Sequence, residues 1–242
     1  MSTKIRINKY LSLCGLGSRR KVEEYILKNK VKINGIPVHS LSSLIDTEND
    51  KVEVNSIVLN SFSKKYVIIL NKPKGYITSL EDEHKRPIVM DLIPERFKKA
   101  MVSPVGRLDK DSEGLLLLTN HGDLAYRLTH PKFGIKKEYI VELNKSLGEE
   151  DRLKIEKGVY LYGERTNPSK IEPIDYEKKV IKVIISEGKK RHIRLTFGKF
   201  SYKVKKLKRI AFGPIKLRNL YSGSYRLLKE DEIKKLHKAV GL

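Results

Sequence analysis

Apolar residues in the first quarter of this 242-residue chain follow helical spacing and then switch to alternation. Residues 5–11 and 21–27 show helical spacing, and Ser18 is a suitable N-cap for the second helix because its side-chain oxygen can accept from free backbone N–H groups. Residues 30–33 alternate and lead into Asn34-Gly35, a dipeptide typical of tight hairpins. This part of the chain therefore predicts two helices and a hairpin.

Strand patterns dominate the rest of the chain, after a polar linker at residues 60–65. The segments that predict strands are residues 51–55 in the first part and residues 66–70, 115–119, 139–143 and 180–186 in the second. Pro and Gly in residues 71–75 predict a turn, and helices are predicted over residues 123–128 and 231–240. We expect an α+β fold with domains at residues 1–62 and 63–242.

The charge of the chain is concentrated in one segment. The whole sequence has 51 Lys and Arg against 29 Asp and Glu, a net charge of +22. Residues 178–218 hold 15 of the basic residues and one acidic residue, Glu187, a net charge of +14. A Lys-rich genome would spread its excess more evenly, whereas concentration is typical of a surface that binds a polyanion. The segment predicts a nucleic-acid partner, although a merely solvated basic face would show the same composition.

Several classes of protein do not fit the sequence. The longest apolar runs, Val67–Leu70 and Leu115–Leu118, fall far short of the ~20 residues that a membrane-spanning helix needs. The first ten residues carry charges at short intervals and do not resemble a signal peptide. Cys14 is the single cysteine, and no Cys/His cluster has zinc spacing. We expect a cytoplasmic monomer with no metal and no cofactor.

The first part of the chain resembles the S4 RNA-binding domain in residues 6–11, 17–26 and 31–38. The basic residues that this resemblance assigns to RNA contacts are Arg6, Lys9, Arg19, Arg20 and Lys21. They can cluster around two helix termini, where the second helix adds positive potential that suits the phosphates of structured RNA. They could equally do no more than solvate two helix faces. We expect this domain to position the substrate without taking part in the chemistry.

Three acids, Asp109, Asp111 and Glu113, lie in a turn-like stretch that Gly106 and Gly114 flank. Glycine allows backbone conformations and close approaches that other residues cannot adopt. Acids in such a stretch can bind a metal, cap a helix, take part in catalysis or simply lie in solvent. The D-x-D-x-E spacing lacks the rest of a calcium loop, which weakens the case for a metal. The residues alone do not decide among helix capping, catalysis and a solvated loop.

The same stretch resembles the catalytic motif of bacterial ribosomal-RNA pseudouridine synthases, in the branch that carries an S4 domain (the RsuA/RluB family). The motif is Gly-Arg-Leu-Asp at residues 106–109, and matching residues continue to Pro131. The other segments that resemble this family are residues 71–75, 137–141, 187–194, 207–209, 213–214, Leu217 and 223–230. The resemblance implies a catalytic domain with a largely antiparallel sheet.

The reaction that the resemblance implies converts a uridine of ribosomal RNA to pseudouridine. The uracil is released from its C1′–N1 bond, turned, and rejoined through C5, without a metal, a redox step or a nucleoside triphosphate. Asp109 is the essential carboxylate by this resemblance. It could attack C1′ of the sugar, attack C6 of the base, or remove the 2′ proton. Each role needs an ionised carboxylate held against the nucleotide.

The resemblance also assigns roles to four neighbours of this aspartate. Arg194 would pair with Asp109 and keep it ionised. Tyr139 would stack on the uracil, with Ile193 packed beneath the ring. Arg107 would contact the RNA backbone or help to extrude the target base from its helix. The predicted catalytic residues are therefore Asp109, Tyr139 and Arg194.

The segment around His192 departs from the family pattern, in which glutamine is usual at that position and Arg-Met stands where this chain has Leu195-Thr196. We expect an effect on substrate choice and no loss of activity. His192, like His121 and His130, has no nucleophile to pair with and is not assigned to catalysis. Lys72 and Lys74 are expected to shape a turn near the RNA and to have no catalytic role.

Two other functions are compatible with parts of the pattern. A non-catalytic RNA-binding or ribosome-assembly factor could keep the same fold, and its role would survive replacement of Asp109. A basic DNA-binding protein has no helix-turn-helix or zinc spacing in its favour. For a pseudouridine synthase the expected partner is ribosomal RNA or a pre-ribosomal particle. The C-terminal segments look more like the large-subunit enzymes, so 23S rRNA is expected over 16S rRNA.

Overall fold

The computed structural model describes residues 4–14, 16, 19–28, 30–59, 64–177 and 179–242, without the side chains of residues 13, 19 and 20. The chain divides into two compact units. The smaller unit comprises Met1–Lys65 and Glu95–Val102, and the larger unit comprises Tyr66–Pro94 and Ser103–Leu242. None of the described helices has the length and apolar character needed to cross a membrane.

The smaller unit contains short helices and short strands. Its helices are α1 (Ile7–Leu13), α2 (Arg19–Leu27) and α3 (Glu95–Lys99). Its strands are β1 (Lys4–Arg6), β2 (Val31–Ile33), β3 (Ile36–Pro37), β4 (Leu44–Asp46), β5 (Val52–Val54) and β6 (Ile57–Val58). Strands β3-β2-β5-β6 form one sheet, and β1 pairs with β4. Apolar residues of α1, α2, β2 and β5 form a single core.

Local sequence signals explain most of this unit. The predicted hairpin is confirmed, since Asn34 and Gly35 have φ of 51° and 82° and join β2 to β3 as a type I′ turn requires. The first helix begins later than predicted because Ile5 pairs with Ile45 in a strand. Ser18, the predicted N-cap, and most of the predicted linker at residues 60–65 lie outside the described residues.

The larger unit is built on one long sheet. Its strands are β7 (Val67–Lys72), β8 (Ser103–Pro104), β9 (Glu113–Thr119), β10 (Lys137–Leu143), β11 (Tyr160–Leu161), β12 (Glu164–Arg165), β13 (Lys170–Pro173), β14 (Val180–Ile185), β15 (Val204–Phe212), β16 (Ile215–Lys216) and β17 (Tyr225–Leu227). Its helices are α4 (Gly122–Thr129), α5 (Glu149–Glu156), α6 (His192–Gly198) and α7 (Glu230–Val240), with 3₁₀ turns at Val89–Leu92 and Pro131–Phe133.

The sheet has nine strands in the order β13-β14-β10-β15-β9-β7-β17, with β16 added to β15 and β8 to β9. Strands β9 and β15 pair in parallel, whereas the other described pairings of this sheet are antiparallel. Apolar side chains of β7 and β9 form a core with α4 and α7. The α+β class and the largely antiparallel sheet are therefore confirmed.

The predicted turn at residues 71–75 is only partly correct. Asn71 and Lys72 continue β7 and pair with Leu115 and Gly114 of β9, so the turn is confined to the residues around Gly75. Long-range strand pairing outweighs the local tendency of an Asn-Lys-Pro-Lys-Gly segment to turn. Lys72 is therefore a strand residue, and its side chain is buried.

Candidate active site

The loop that carries Asp109, residues 105–112 between β8 and β9, is fixed on both sides of this residue. Thr78 accepts from the Leu108 N–H at 3.2 Å and donates to the Leu108 carbonyl at 2.8 Å. Gly75 N–H donates to the Lys110 carbonyl at 2.8 Å. The Asp109 side chain is half-buried. The loop therefore holds the carboxylate in a defined place, close enough to solvent for a substrate to reach it.

A fully buried lysine supports this loop from beneath. Lys72 is 0% exposed, and its ammonium donates to the carbonyls of Ser112 at 2.7 Å and Pro73 at 3.0 Å, with the Lys110 carbonyl at 3.5 Å. Burial lowers the pKa of Lys72 to about 8, against the opposing attraction of Asp111, Asp109 and Glu113. The prediction that Lys72 lies in a turn is therefore wrong, because it is the last residue of β7. Its ammonium fixes the Asp109 loop and places a positive charge near its acids.

The predicted pair of Arg194 and Asp109 is not formed, and Arg194 binds Asp111 in its place. The Arg194 Nε lies 3.2 Å from Asp111 Oδ2, and Nη2 donates to the Asp111 carbonyl at 3.0 Å. A second arginine, Arg191, has Nη1 3.4 Å from Asp111 Oδ1. Ser112 N–H donates to the Asp109 carbonyl, so the two acids lie in one tight turn, and Asp111 is the one that contacts α6. Among the described residues, no cation lies within ion-pair distance of the Asp109 carboxylate.

Tyr139 lies on β10, which is two strands away from β9, the strand that follows the Asp109 loop. It is 7% exposed, and in the register of β10 it stands opposite Arg209 of β15, which in turn stands opposite Gly114 of β9. With neighbouring strands about 4.8 Å apart, the Tyr139 and Gly114 backbones are roughly 10 Å apart. The register therefore places Tyr139 two strands from Gly114, which follows the Asp109 loop on β9. Ile193, on α6, is also buried, and its packing beneath Tyr139 remains a prediction.

Two buried cations beside Tyr139 did not emerge from the sequence. Arg209 is 2% exposed, and its Nε donates to the Leu115 carbonyl at 2.7 Å. Lys137 donates to the Ile135 carbonyl at 3.0 Å, and burial, with nearby Arg209, lowers its pKa to about 8. The alternating pattern of β10 contained a signal for one of these two cations, Lys137. Lys137 precedes Tyr139 by two residues in an alternating strand, so both point to the same buried face.

Buried polar side-chain atoms without a hydrogen-bond partner occur in the Asp109 loop and in two other elements of the larger unit. Within the described part of the chain they are Ser112 Oγ, His192 Nδ1, Arg194 Nε (whose contact with Asp111 is an ion pair only), Thr196 Oγ1 and Arg209 Nη2. All five belong to the Asp109 loop, α6 or β15. Buried polar groups are normally hydrogen-bonded, so these atoms are typical of positions that an ordered water or a polar ligand satisfies. In the described residues no group of three or more His, Cys, Asp and Glu side chains could hold a metal ion.

His192 forms a buried contact with an acid of the same segment. Its Nε2 lies 3.7 Å from Glu187 Oε1, and burial lowers its pKa despite the attraction of that carboxylate. Lys189 and Lys137 act in the same direction as burial. The contact ties the start of α6 to the end of β14. It gives His192 a structural partner, and its exclusion from catalysis remains a prediction.

Among the basic residues predicted to contact RNA, those that the structure describes are exposed or half-buried. Arg107 is exposed in the larger unit. In the smaller unit Arg6 and Lys21 are exposed and Lys9 is half-buried. The side chains of Arg19 and Arg20 lie outside the described residues, although α2 begins at Arg19. Their contacts with RNA remain predictions.

Ion pairs offset part of the net positive charge of the basic segment at residues 178–218. Of the cations that the structure describes here, six form ion pairs with acids from outside the segment, at Lys179, Lys182, Lys189, Arg191, Arg194 and Lys206. Two of these six bind the Asp109 loop through Asp111. Part of the segment's charge therefore shapes the site, and the remainder is available at the surface.

Comparisons with known proteins agree with this geometry. Residues 66–199 match the family described as RNA pseudouridylate synthase. The chain is 41% identical over 245 residues to an uncharacterized RNA pseudouridine synthase of Aquifex aeolicus, with 99% of this chain and 96% of that protein covered. It is 37% identical over 238 residues to the ribosomal large subunit pseudouridine synthase B of Bacillus subtilis, with 96% and 95% covered.

A solved structure agrees as well. It is a crystal structure of a pseudouridylate synthase that superimposes with a TM-score of 0.71 at 31% sequence identity, over 96% of this chain and 99% of the other. The family match covers the Asp109 loop, Tyr139 and α6 together. The chain belongs to the RNA pseudouridylate synthase family and is an isomerase that acts on RNA.

Proposed function

We propose that this enzyme converts a specific uridine of ribosomal RNA to pseudouridine, with Asp109 as the essential carboxylate. The observation that carries the proposal is the position of Asp109. Its loop is fixed by Thr78 and Lys72, while its carboxylate is half-buried and has no ion pair among the described residues. A carboxylate that is held in place and forms no ion pair can react with a bound nucleotide without first breaking a salt bridge.

The proposed reaction breaks the C1′–N1 bond of the target uridine and forms a C1′–C5 bond. The proton on C5 is lost and N1 gains one, so no other reactant is consumed. The Asp109 carboxylate would attack C1′, attack C6, or take the 2′ proton, and all three roles need it ionised. The Lys72 ammonium holds the backbone of the Asp109 loop through its hydrogen bonds to the Ser112 and Pro73 carbonyls.

The neighbouring residues would position the base and the RNA. Tyr139, buried beside Arg209, offers a ring on which the extruded uracil can stack. Arg194 would act differently from the sequence-based expectation, since it holds the loop through Asp111. Arg107, exposed on the loop itself, would contact the RNA backbone. The unpartnered Arg209 Nη2 and His192 Nδ1 offer polar groups that a uracil edge could satisfy.

The proposed target is 23S rRNA in preference to 16S rRNA. Support comes from the resemblance of the C-terminal segments and from the Bacillus subtilis relative, whose name places its activity on the large subunit. The smaller unit would serve as an S4 RNA-binding domain through Arg6, Lys9 and Lys21. Helices α1 and α2 and the type I′ hairpin support this assignment. The enzyme would work in the cytoplasm, where ribosomal RNA is found.

A pseudouridine map of total rRNA tests the proposal. Cells without the gene should lack one carbodiimide-dependent primer-extension stop in 23S rRNA, and a wild-type copy should restore it. A copy with Asp109→Asn should leave the stop absent. An unchanged map in cells without the gene would overturn the proposed function. A growth defect that Asp109→Asn rescues fully would show instead a non-catalytic role in ribosome assembly.

A further inference from the structure

The hairpin of β11 and β12, residues 160–165, has an aromatic and basic outer surface. Tyr160 is 63% exposed and Tyr162 is 65% exposed. Tyr160 stands directly opposite the exposed Arg165 in the register of the two strands, so both side chains lie on the same face. Leu161, which points to the other face, is buried, and β11 packs against α6. The hairpin is thus anchored on one face and open on the other.

The hairpin is tied to the active site by side-chain contacts. The Tyr162 hydroxyl donates to the Lys190 carbonyl at 3.1 Å, and Lys189 forms an ion pair with Glu164 at 2.9 Å. The next residue, Arg191, forms the ion pair with Asp111 of the Asp109 loop. The hairpin therefore adjoins the same short segment that binds the catalytic loop. Lys190 is exposed in that segment and has no ion pair within the described part of the chain.

Burial in the core does not explain the exposed rings, and only Tyr162 has a structural contact, through its hydroxyl, among the hydrogen bonds described above. Tyr162 has a φ of 53° and is followed by Gly163 with a φ of 81°, the geometry of a type I′ turn. Positions with positive φ favour Gly, Asn and Asp, and a large aromatic residue there is uncommon. An exposed ring adds little to the core. Aromatic rings beside cations are, however, what single-stranded nucleic acid binds, through stacked bases and neutralised phosphates.

We propose that Tyr160, Tyr162, Arg165 and Lys190 form a platform for the single-stranded nucleotides that flank the target uridine. The proposal rests on the proposed function, since extrusion of a uridine unstacks its neighbours and leaves their faces open. The two rings offer new stacking partners, and the two cations lie where the connecting phosphates would run. We call this surface the hairpin platform.

Kinetics on deproteinised rRNA test the platform. The probe is total rRNA from cells that lack the gene, with pseudouridine followed by primer extension and affinity by filter binding. Stacking on one aromatic side chain changes RNA affinity by roughly 5- to 100-fold, so Tyr160→Ala should raise KM and Kd by such a factor. The kcat should stay within about twofold, because the chemistry is untouched. Arg165→Gln should reduce the slope of log affinity against log salt by about 0.7.

Two variants separate stacking from general damage. Tyr160→Phe keeps a ring and should recover most of the affinity that Tyr160→Ala loses. Tyr176→Ala is the matched control, because Tyr176 is fully exposed but lies at the opposite end of β14 from Glu187. The six residues of that strand separate the two ends by about 20 Å. Tyr176→Ala should leave both KM and kcat unchanged.

Distinct outcomes separate the platform from the proposed function. An unchanged KM and Kd for Tyr160→Ala on deproteinised rRNA would overturn the platform. An effect seen only with assembled ribosomal particles would also overturn it and indicate a protein partner. If the wild-type enzyme forms no pseudouridine on any rRNA, the proposed function fails. The filter-binding comparison of the tyrosine variants would then still decide whether the hairpin binds RNA.

Discussion

The described cations of the smaller unit lie mostly at its surface, whereas three cations of the larger unit, beneath the Asp109 loop or beside Tyr139, are buried. Arg6 and Lys21 are exposed on the smaller unit. Lys72, Lys137 and Arg209 of the larger unit are at most 8% exposed, and each donates to backbone carbonyls. An exposed cation contributes to RNA binding through charge alone and can be exchanged for another. A buried cation fixes one piece of backbone and cannot be exchanged without cost.

Replacing Gly114 should have the largest effect on the free energy of unfolding, because Gly114 of β9 lies in close contact with Arg209 of β15. Gly114 has a φ of 105°, and an added Cβ would lie 2.2 Å from the Arg209 carbonyl oxygen. Gly114→Ala should reduce the free energy of unfolding by about 4 kcal/mol or more, measured by urea titration. The control is Gly122→Ala in α4, where nothing lies within 4 Å. Equal stability of the two variants would contradict the close approach of β9 and β15.

The buried Lys137 should make stability depend on pH in the alkaline range. Its folded pKa of about 8 lies below the ordinary 10.5, so the unfolded chain binds more protons between these values and stability rises with pH there. Relative to Lys137→Met, the wild type should gain about 3 kcal/mol between pH 8 and 10.5. Urea titrations at several pH values measure this difference.

The exposed neighbour provides the control for that prediction. Lys136 is exposed, and Lys136→Met should follow the wild type at every pH. A constant difference between the wild type and Lys137→Met across the whole range would show that the Lys137 ammonium is not destabilised by burial.

Loss of the Lys72 ammonium should affect catalysis more than binding. Lys72→Met leaves the Ser112 and Pro73 carbonyls without their donor, so the Asp109 loop should shift. A displacement of about 1 Å can reduce turnover roughly 10²-fold, and kcat should fall by that order while Kd for rRNA stays within a few-fold. Lys74→Met, at an exposed position two residues away, should keep kcat. Equal kcat values for the two variants would show that the Lys72 ammonium does not support the Asp109 loop.

The sequence predicted those elements whose signals are local, but it did not predict the strand β15 or the helices α5 and α6. The Asn34-Gly35 turn and the alternation of β10 and β14 depend on neighbouring residues only. The buried lysine was misjudged because its position depends on strand pairing between segments 40 residues apart. The predicted partner of Arg194 was wrong for a related reason. Asp109 and Asp111 lie two residues apart in one turn, and their spacing alone does not reveal which of them Arg194 binds.

Exposed cations of the smaller unit should give the smallest effects. Arg6→Gln and Lys21→Gln should each weaken rRNA binding by a few-fold and reduce the salt slope by about 0.7 to 0.9. Their kcat should match that of the wild type, since the proposed S4 domain takes no part in the chemistry. Filter binding between about 50 and 200 mM salt provides the test. A fall in kcat without a change in affinity would contradict the division of roles between the two units.

The most direct test compares Asp109→Asn with Asp111→Asn in single-turnover pseudouridine formation, with rRNA affinity measured alongside. We predict a loss of at least about 10³-fold for Asp109→Asn with unchanged affinity, because the reacting carboxylate is gone. For Asp111→Asn we predict a partial loss, on the order of tenfold, because Arg194 still binds the Asp111 carbonyl. Substantial activity in Asp109→Asn, or a complete loss confined to Asp111→Asn, would contradict the central role of Asp109.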